Sequence, residues 1–358
     1  MTKDPKPRAA NIFDVARLAG VSHQTVSRVI NGHLSVRPQT RERVEEAIKQ
    51  LRYRPSTAAR ALVTRRSRNL GLIMPGSADF GPSSTVLGFT RAARAARYTV
   101  SITSVFEPEE ESVRAATESL LSQHVEAILV VADDRRVLEA AGRIELEVPL
   151  VAVDSTRRVG ASAVSIDQYG AARMATEFLV SLGHTRILHL AGPASSTDGG
   201  ERERGWRDVL AEHGLASSPP LFGDWTPDSG YGLVAGAVGR GFTAIFSAND
   251  QMALGAMHAL ADAGLEVPAD VSIVGFDDIP EAAHFSPPLT SVHQDFDQLG
   301  GDLMTTVLAV LDDQRLDLPA RVPTLVERAS TAYAPRDRHA STRDSTKASI
   351  RTGSAAPG

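Results

Sequence analysis

Two sets of polar residues in this sequence have the types and the spacing needed to recognise other molecules. The first set faces outward near the start of a short predicted helix and consists of His23, Gln24, Ser27 and Arg28. Side chains at the N-terminal end of such a helix are placed to enter the major groove of DNA. The second set directly follows predicted strands and consists of Asp154, Asn249, Asp250, Asp277 and Asp278. Because ligands of parallel sheets bind beyond the carboxyl ends of the strands, the second set predicts a small-molecule site.

Two short helices joined by a tight turn must position the first set. The buried stripe predicted for the first helix consists of Phe13, Val15, Ala16 and Leu18. Ala19 and Gly20 supply the turn, where glycine adopts backbone conformations that other residues resist. Ser22 is predicted to cap the second helix, and its inward face consists of Val26, Val29 and Ile30. This pattern predicts a helix-turn-helix, followed by a third helix over 38–51.

From residue 70 onward, the pattern changes to strands that alternate with helices. Short apolar runs predict strands at 70–74, 100–103, 127–131, 150–153, 187–191, 244–247 and 271–276. Amphipathic stretches predict helices at about 83–97, 110–123, 168–182, 201–213, 228–239, 250–264 and 296–313. Such alternation indicates parallel sheets with right-handed crossovers. The pattern continues to about residue 335, too long for one compact core, so two α/β lobes are expected.

Charge is distributed unevenly along the chain. The full sequence of 358 residues has a formal net charge of −5. Residues 1–68 carry 15 Lys and Arg against 5 Asp and Glu, whereas residues 69–335 carry 18 against 36. A small basic segment beside a large acidic one indicates that only the N-terminal segment approaches the phosphates of a nucleic acid.

Composition excludes several classes of protein. Without cysteine, the chain has no disulfide, no thiolate nucleophile and no thiolate metal ligand. No run of 18 apolar residues is present, so no membrane span is expected. The first twenty residues lack the apolar core of a signal peptide, which favours a cytoplasmic location. Residues 336–358 are rich in Ser, Thr, Ala and Arg without a period and are predicted to be a disordered tail.

Signatures of common catalytic sites are missing from the sequence. The only lysines are Lys3, Lys6, Lys49 and Lys347, so the region 69–335 has no lysine for a Schiff base or a P-loop. The motifs Gly-x-Ser-x-Gly, His-Glu-x-x-His and Gly-x-Gly-x-x-Gly do not occur. The adjacent Asp277 and Asp278 are interpreted as a ligand contact and a cap rather than a metal site. We therefore predict a protein that is not an enzyme and that needs neither a metal nor another cofactor.

Several longer motifs resemble the lac repressor and galactose repressor (LacI/GalR) family of bacterial transcription regulators. Near the N-terminus they are Asp-Val-Ala at 14–16, Ala-Gly-Val-Ser at 19–22 and Thr-Val-Ser-Arg-Val at 25–29. Further on they are Leu-Gly-His at 182–184, Ala-Gly-Pro at 191–193, Gly-Asp-Trp at 223–225, Ala-Asn-Asp-Gln-Met-Ala-Leu-Gly-Ala-Met at 248–257, Pro-Pro-Leu-Thr at 287–290 and Gln-Asp-Phe at 294–296. A match as long as 248–257 is highly specific, and the resemblance extends over about 11–335.

The resemblance implies an all-α helix-turn-helix headpiece and an α/β core of two lobes, like a periplasmic binding protein. The headpiece is expected over 1–55, a hinge helix and linker over 56–68, and a sugar-binding and dimerisation core over 69–335. One lobe would contain about 69–166 and 296–322, and the other about 167–292 and 323–335. The tail 336–358 contains only Ile350 among large apolar residues and cannot form a coiled coil, so a homodimer is expected.

For DNA, the resemblance implies that each headpiece binds one half-site of a pseudo-palindromic double-stranded operator. The residues expected to contact it are His23, Gln24, Thr25, Ser27, Arg28, Asn31, Ala59, Arg60 and Leu62. We interpret His23, Gln24 and Arg28 as base readers, because Gln suits adenine and Arg suits guanine. The other helix residues and Asn31 would contact phosphates or cap the helix. Leu62 is similar to the family's minor-groove wedge, beside a small Ala59 and a groove-binding Arg60.

The resemblance also implies a sugar site between the lobes. The residues that match the family's polar sugar contacts and its aromatic platform are Asp154, Arg202, Trp225, Asn249, Asp277, Gln294 and Phe296. Sugars need hydrogen-bonding groups for their hydroxyls and an aromatic plate for a ring face, so this set favours a galactoside or a similar sugar. Asp79 stands where lac-type members have an apolar residue, and Asp198 stands where they have serine. We add these two residues to the expected ligand-binding residues. Because they differ from the lac-type pattern, the identity of the sugar stays open.

The predicted function is a transcriptional repressor of carbohydrate-utilisation genes that a small sugar releases from its operator. Sugar binding would rotate the lobes, melt the hinge helices and withdraw Leu62 from the DNA. One alternative keeps this architecture with a different sugar or with a corepressor such as a purine. Another is a sugar-binding protein of the transport type, which would need an export signal and no basic N-terminal segment.

Overall fold

The computed structural model describes residues 10–30, 35–53, 66–156 and 162–335. The chain divides into two compact units, one ending at Arg68 and the other beginning at Asn69. The first unit contains the headpiece, and the second contains residues 69–335, which we call the core. Among the helices of the described residues, none is both long and apolar enough to cross a lipid bilayer.

The described residues of the headpiece form three helices, and local signals fix where these helices begin and end. They are α1 (Ile12–Ala19), α2 (His23–Ile30) and α3 (Pro38–Gln50). The side chain of Asn11 accepts a hydrogen bond from the backbone N–H of Asp14 at 3.0 Å, and the Asp14 carboxylate accepts one from the backbone N–H of Asn11 at 2.9 Å. Gly20 ends α1 with a φ of +65°, in the left-handed region that favours glycine. The predicted helix-turn-helix is therefore present.

The apolar core of the headpiece is narrower on α1 than the sequence predicts. Its stripe on α1 consists of the buried residues Val15, Ala16 and Ala19. Phe13 and Leu18, which were also predicted to be buried, are 57% and 50% exposed. At 3.6 residues per turn, both lie about 110° from the middle of the stripe and therefore flank it. The prediction of a buried role for these two residues is wrong.

The first sheet of the core is parallel throughout. Its strands are β1 (Asn69–Pro75), β2 (Thr99–Val105), β3 (Ile128–Val131), β4 (Leu150–Val153) and β5 (Ser162–Val164). They lie in the order β2-β1-β3-β4-β5. The intervening helices are α4 (Phe80–Ala95), α5 (Glu110–Leu121) and α6 (Arg135–Arg143). This sheet and the helices packed on it form the first lobe.

The second sheet contains six strands and one antiparallel edge. Its strands are β6 (Ile187–Ala191), β7 (Leu221–Phe222), β8 (Ala244–Ser247), β9 (Ser272–Asp277), β10 (Thr290–His293) and β11 (Thr324–Val326). The order is β11-β10-β9-β8-β6-β7, and only β11 runs antiparallel to its neighbour. The helices of this second lobe are α7 (Gln168–Ser181), α8 (Thr197–Glu212), α9 (Pro227–Ala235), α10 (Asp250–Asp262) and the short 3₁₀ helix Pro280–His284.

The chain passes between the two lobes three times. It leaves the first lobe after β5 and returns after β10 as α11 (Phe296–Leu311), whose Leu299 and Leu303 are buried in the first lobe's core. It crosses again to form β11. Where the first and third crossings meet, Arg321 donates its backbone N–H to Ser165 at 2.9 Å and accepts that of Asp167 at 2.8 Å. These paired segments connect the lobes next to the carboxyl ends of the strands.

The predicted fold class, an all-α headpiece with an α/β core of two sheets, is confirmed. The predicted strands at 150–153, 187–191 and 244–247 coincide with β4, β6 and β8, which are apolar because helices cover both faces of a parallel sheet. The prediction missed α6 and the strands β5, β7, β10 and β11. The missed strands have two to four residues each, and none contains more than two consecutive apolar residues, so no apolar run marks them.

Candidate functional site

The first candidate site is the exposed face of α2 in the headpiece. His23, Gln24 and Arg28 are exposed, whereas Thr25 and Ser27 are half-buried. The Ser22 hydroxyl accepts the backbone N–H of Thr25 at 3.2 Å and caps the helix as predicted. His23 and Gln24 therefore project from the first turn of a capped helix and Arg28 from its last turn, on a face that suits a major-groove contact.

An aromatic contact fixes one side of this face. The ring of Phe13 lies 5.1 Å from the ring of His23, measured between centroids and with a tilt of 45°. Phe13 thus supports a residue of the exposed face of α2 rather than the apolar core. The predicted DNA contacts Asn31, Ala59, Arg60 and Leu62 lie outside the described residues.

The second candidate site is a cleft between the two lobes of the core. A cavity of about 350 Å³ lies there, within the range of small-molecule sites, and residues following strands of both sheets line it. The predicted ligand residues that line it are Asp79, Asp198, Arg202, Trp225, Asn249, Asp277, Gln294 and Phe296. Residues separated by more than 200 positions in the chain are thus brought to one cleft, because both sheets direct their carboxyl ends toward it.

Asp154 is the predicted ligand residue that does not line this cavity. Its carboxylate is buried and accepts hydrogen bonds from the backbone N–H of Thr156 at 2.8 Å and from the Thr156 hydroxyl at 2.6 Å. The carboxylate therefore holds the turn that follows β4. In this structure the next residue, Ser155, reaches the cleft instead.

Arg202 lies at the centre of the cleft and is buried. Its Nε donates to the side-chain oxygen of Gln168 at 3.0 Å, and its Nη1 donates to the backbone carbonyl of Ala248 at 2.5 Å. The guanidinium lies 3.9 Å from the centroid of the Phe276 ring. Two nitrogens of the guanidinium are thus hydrogen bonded and one of its faces packs on an aromatic ring, while Nη2 lies 3.9 Å from a carboxylate oxygen of Asp277. A rigid donor of this kind is suited to bidentate binding of vicinal hydroxyls.

Gln168 joins the polar residues of the cleft into one network, and sequence reasoning missed it. Its amide nitrogen donates to Asp198 at 3.1 Å and to the side-chain oxygen of Gln294 at 2.9 Å. Gln294 in turn donates to Asp277 at 2.6 Å. One signal in the sequence could have identified it. Gln168 begins α7 directly after the cap residue Asp167, shortly beyond the carboxyl end of β5, a strand too short to be recognised.

Two aromatic side chains give the cleft its flat apolar surfaces. Trp225 has a φ of +73°, and a Cβ added to Gly192 would lie 2.1 Å from its indole, so only glycine allows the ring this position. Asn249 donates its side-chain N–H to the Trp225 carbonyl at 2.9 Å. Phe296 packs edge-on against Phe80, with centroids 5.8 Å apart. Both aromatic rings therefore have supports that orient them in the cleft.

The backbone after β9 is strained where it presents Asp277. Asp277 and Asp278 have φ values of +100° and +53°, in a region that non-glycine residues seldom occupy. The buried carboxylate of Asp250 anchors the turn, because it accepts the backbone N–H of Ile279 at 2.8 Å and the hydroxyl of Ser291 at 2.6 Å. Burial, reinforced by the charge of Asp277, raises the pKa of Asp250 well above its ordinary value.

Two carboxylates of the cleft, those of Asp198 and Asp277, have raised pKa values and retain protons to unusually high pH. Burial raises the pKa of Asp198 to about 7, with a further contribution from the charge of Asp133 and an opposing one from Arg202. Burial raises the pKa of Asp277 to about 6, against the opposing effects of Arg202 and Gln294. In the part of the chain that the structure describes, no group of three or more His, Cys, Asp and Glu side chains is placed to hold a metal ion.

Hydrogen bonds across the cleft join the segment that follows β3 in the first lobe to the start of α8 in the second lobe. The Asp133 carboxylate accepts the backbone N–H of Asp198 at 2.9 Å, and the Asp133 carbonyl accepts that of Thr197 at 2.8 Å. Arg135 donates its backbone N–H to the carbonyl of Ser195 at 3.1 Å. The first turn of α8, which carries Asp198, is therefore fixed from the opposite lobe.

Both units of the chain are similar to known proteins. Residues 11–56 match bacterial regulatory proteins of the lacI family, and residues 176–331 match a periplasmic binding protein-like domain. The chain is 33% identical to the lactose operon repressor of Escherichia coli K12 over 340 residues, 94% of each protein. It is also 33% identical to the ribose operon repressor of the same strain over 337 residues, 90% of this chain and 99% of that one. The structure of the lac repressor dimer bound to operator and the anti-inducer ONPF superposes with a TM-score of 0.83 at 33% identity, over 91% of this chain and all of that one.

Proposed function

This chain belongs to the LacI family of bacterial regulatory proteins, and we propose that it is a transcriptional repressor released from its operator by a sugar, a galactoside in the first instance. The observation that carries the sugar proposal is the network of Gln168, Arg202, Asp277 and Gln294 beside Trp225. It offers donors and acceptors in fixed directions next to an aromatic plate, which matches the hydroxyls and the apolar face of a pyranose.

Family membership does not select the sugar. Relatives at the same identity of 33% carry the names of the lactose and ribose operons. The preference for a galactoside rests on the residues that match the polar contacts and aromatic platform of lac-type members. Asp79 and Asp198, both on the cavity wall, are the positions at which this chain would select a different substituent on the sugar.

For DNA, the proposal places α2 in the major groove of a half-site. His23, Gln24 and Arg28 would read bases, while Thr25, Ser27 and Asn31 would contact phosphates or cap the helix. Leu62 would enter the minor groove as a wedge, with Ala59 and Arg60 beside it. The proposed boundaries are 1–55 for the headpiece, 56–68 for the hinge, 69–335 for the core and 336–358 for the tail. A homodimer would match the two halves of a pseudo-palindrome, and the lac repressor in the similar structure is likewise a dimer bound to operator.

The proposed coupling runs through the relative rotation of the lobes. A sugar between them would favour one rotation, separate the two hinge segments of the dimer and weaken the grip of Leu62. A ligand shifts such an equilibrium only by its difference in affinity for the two states. Isothermal titration should therefore show weaker sugar binding in the presence of operator than in its absence. Equal affinities would contradict the coupling.

An operator-shift assay against a panel of ligands tests the whole proposal. We expect purified full-length protein to bind a pseudo-palindromic duplex at low ionic strength and to be released by one or more galactosides. If another disaccharide or a monosaccharide releases the protein from the duplex, the proposed inducer is wrong but the proposed mechanism of release still holds. Tighter DNA binding in the presence of a purine would replace the inducer with a corepressor. Failure to bind any duplex of its own genome would overturn the proposal.

A further inference from the structure

The second lobe buries two histidines whose ring nitrogens have different surroundings. The Nδ1 and Nε2 of His184 lie 3.0 and 3.1 Å from the hydroxyls of Thr243 and Ser272. His189 on β6 is fully buried, and its Nδ1 donates to the backbone carbonyl of Phe246 at 2.9 Å. Its Nε2 has no hydrogen-bond partner among the residues that the structure describes. Because a buried polar atom without a partner costs free energy, an apolar side chain would suit this position better if it only had to fill the core.

His189 belongs to a series of four packed rings, which we call the aromatic column and which consists of Trp206, His189, Phe246 and Phe276. The centroids of successive rings are 5.3, 4.9 and 6.3 Å apart. The planes of His189 and Phe246 differ by 14°, so these two rings are stacked almost in parallel. Their residues are also register partners on β6 and β8, and β9 with Phe276 is the next strand of the sheet. The aromatic column therefore crosses three neighbouring strands on one face of the second sheet.

Both ends of the aromatic column meet the helix α8. At one end, Trp206 of α8 stacks on His189. At the other end, the guanidinium of Arg202, one turn earlier on α8, lies over the ring of Phe276 at 3.9 Å from its centroid. A guanidinium that packs flat on an aromatic ring takes its plane from that ring. The direction in which Arg202 presents its N–H groups to the cleft therefore depends on the packing of Phe276 within the aromatic column.

His189 is the ring of the aromatic column that a hydrogen bond fixes in place. Since a carbonyl oxygen can only accept, the Nδ1 of His189 carries the proton and ties the imidazole on β6 to the backbone of β8. The neighbouring Phe246 has no polar side-chain atom, and the indole N–H of Trp206 has no partner within the described ranges. Burial, together with the charges of Arg202 and Arg207, lowers the pKa of His189 to about 4. At neutral pH the imidazole is therefore an uncharged, flat and fixed surface for the next ring.

We propose that His189 is a positioning residue for ligand binding, which sets the plane of the Arg202 guanidinium through the aromatic column. This inference rests on the proposed sugar function and deepens it, because it names a residue outside the cleft on which sugar affinity depends. His189 does not line the cavity, so a change at this position reaches the ligand only through Arg202. The role requires a flat ring and a hydrogen bond to β8. Leucine supplies neither of these, and phenylalanine supplies the ring alone.

Two measurements on the full-length protein test this role. Calorimetric titration with lactose gives the affinity, and the NMR signal of the Arg202 Nε–H reports the position of the guanidinium over the ring of Phe276. His189→Leu should move this signal and weaken lactose binding about 10-fold, whereas His189→Phe should keep the signal near its wild-type position and lose at most about 3-fold. In an Arg202→Lys background, which has a cation without a planar fork, His189→Leu should cost less than about 2-fold.

Leu190→Val is the matched control, because Leu190 is fully buried on the same strand and packs on the opposite face of the sheet, with Val234 and Ala253. It should lower the stability of the core and leave both the Arg202 signal and lactose binding unchanged. An unmoved Arg202 signal in His189→Leu, or equal losses of affinity in the wild-type and Arg202→Lys backgrounds, would overturn the positioning role and leave the proposed function intact. If the wild type binds its operator but not lactose, the proposed galactoside is wrong, and the Arg202 signal by itself decides whether His189 positions that residue.

Discussion

The exposed face of α2 and the cleft of the core are the two proposed binding sites, and their side chains are held in opposite ways. On α2, the side chains come from one helix of eight residues, and those proposed to read bases are exposed. In the cleft, the side chains come from segments between Asp79 and Phe296, and several are hydrogen bonded to one another. A substitution on α2 therefore removes one interaction, whereas a substitution in the cleft also disturbs its partners.

Arg202→Met should produce the largest effect, because it removes a buried group on which the rest of the network depends. We expect sugar affinity to fall by about 100-fold or more in calorimetric titration, as several charge-assisted hydrogen bonds are lost together. Adding Gln168→Ala should cost little more, because the two side chains act as one unit. Arg204→Met on the same helix is the control, since Arg204 is paired with Glu201 and does not line the cavity. If the losses of affinity in the two single variants add up in the double variant, Arg202 and Gln168 act independently, and the cleft does not differ from α2 in this respect.

Gln24→Ala and Arg28→Ala should each weaken operator binding about 10-fold, because each removes a contact to a base edge. In contrast to the cleft pair, their effects should add, giving about 100-fold in the double variant. A shift assay at fixed salt measures both. Glu42→Ala, at an exposed position on α3, serves as a control that lies outside the proposed contacts. A double variant no weaker than either single one would show that α2 is also a coupled unit.

The contribution of Asp198 to the stability of the core should fall as pH rises, by on the order of 1–3 kcal/mol between pH 4 and pH 8. The buried His189, whose pKa is lowered to about 4, contributes with the opposite sign, so the Asp198 contribution is read from the difference between variant and wild type. The pKa of Asp198 in the folded protein is about 7, raised from 3.8, so the folded state favours the proton. The resulting stabilisation is fully present below about pH 4 and is lost as pH rises through 7. Chemical unfolding at pH 5 and pH 8 measures it. Relative to the wild type, Asp198→Asn should gain stability as pH rises from 5 to 8 and be the more stable of the two at pH 8.

Asp228→Asn provides the control for this dependence, because Asp228 is exposed on α9. It should follow the wild-type pH profile. An Asp198→Asn profile identical to that of the wild type would show that this carboxylate does not carry the effect.

Ser22→Ala should have the smallest effect, about 1 kcal/mol, because it removes one cap from an exposed helix. Hydrogen exchange in the full-length protein should show about 5-fold faster exchange for the amides of α2 and no change in the core. Ser22→Asp should restore protection, since aspartate is also a strong cap. A change in the exchange of α10 amides would be inconsistent with a local effect.

Prediction from sequence succeeded where the signal is local. The start of α2 at Ser22, the turn at Gly20 and the strands β4, β6 and β8 each depend on a few consecutive residues. It failed for α6, although the buried face of that helix includes Val137, Leu138 and Ala141, so a usable signal was present. Prediction from sequence also assigned Phe13 to the apolar core of the headpiece. Apolar character alone does not show whether a residue lies within the buried stripe of a helix or beside it.

In the cleft, the sequence identified the individual residue types and left their pairing undecided. Asp154 and Ser155 are neighbours after β4, and only the conformation of the turn places the serine at the cavity and the carboxylate against Thr156. Gln168 has no distinguishing motif, and its role follows from meeting Arg202, Asp198 and Gln294 in space. No spacing along the chain could have shown these contacts.

The sequence by itself determined the helix-turn-helix, the alternation of strands and helices, and the acidic, lysine-free character of the core, because these depend on neighbouring residues or on composition. The tertiary structure decided which carboxylates keep their protons and which hydrogen-bond donors are fixed. The physical reason is that burial and hydrogen bonding between distant segments set pKa values and side-chain orientation, and both arise only when the two lobes face each other.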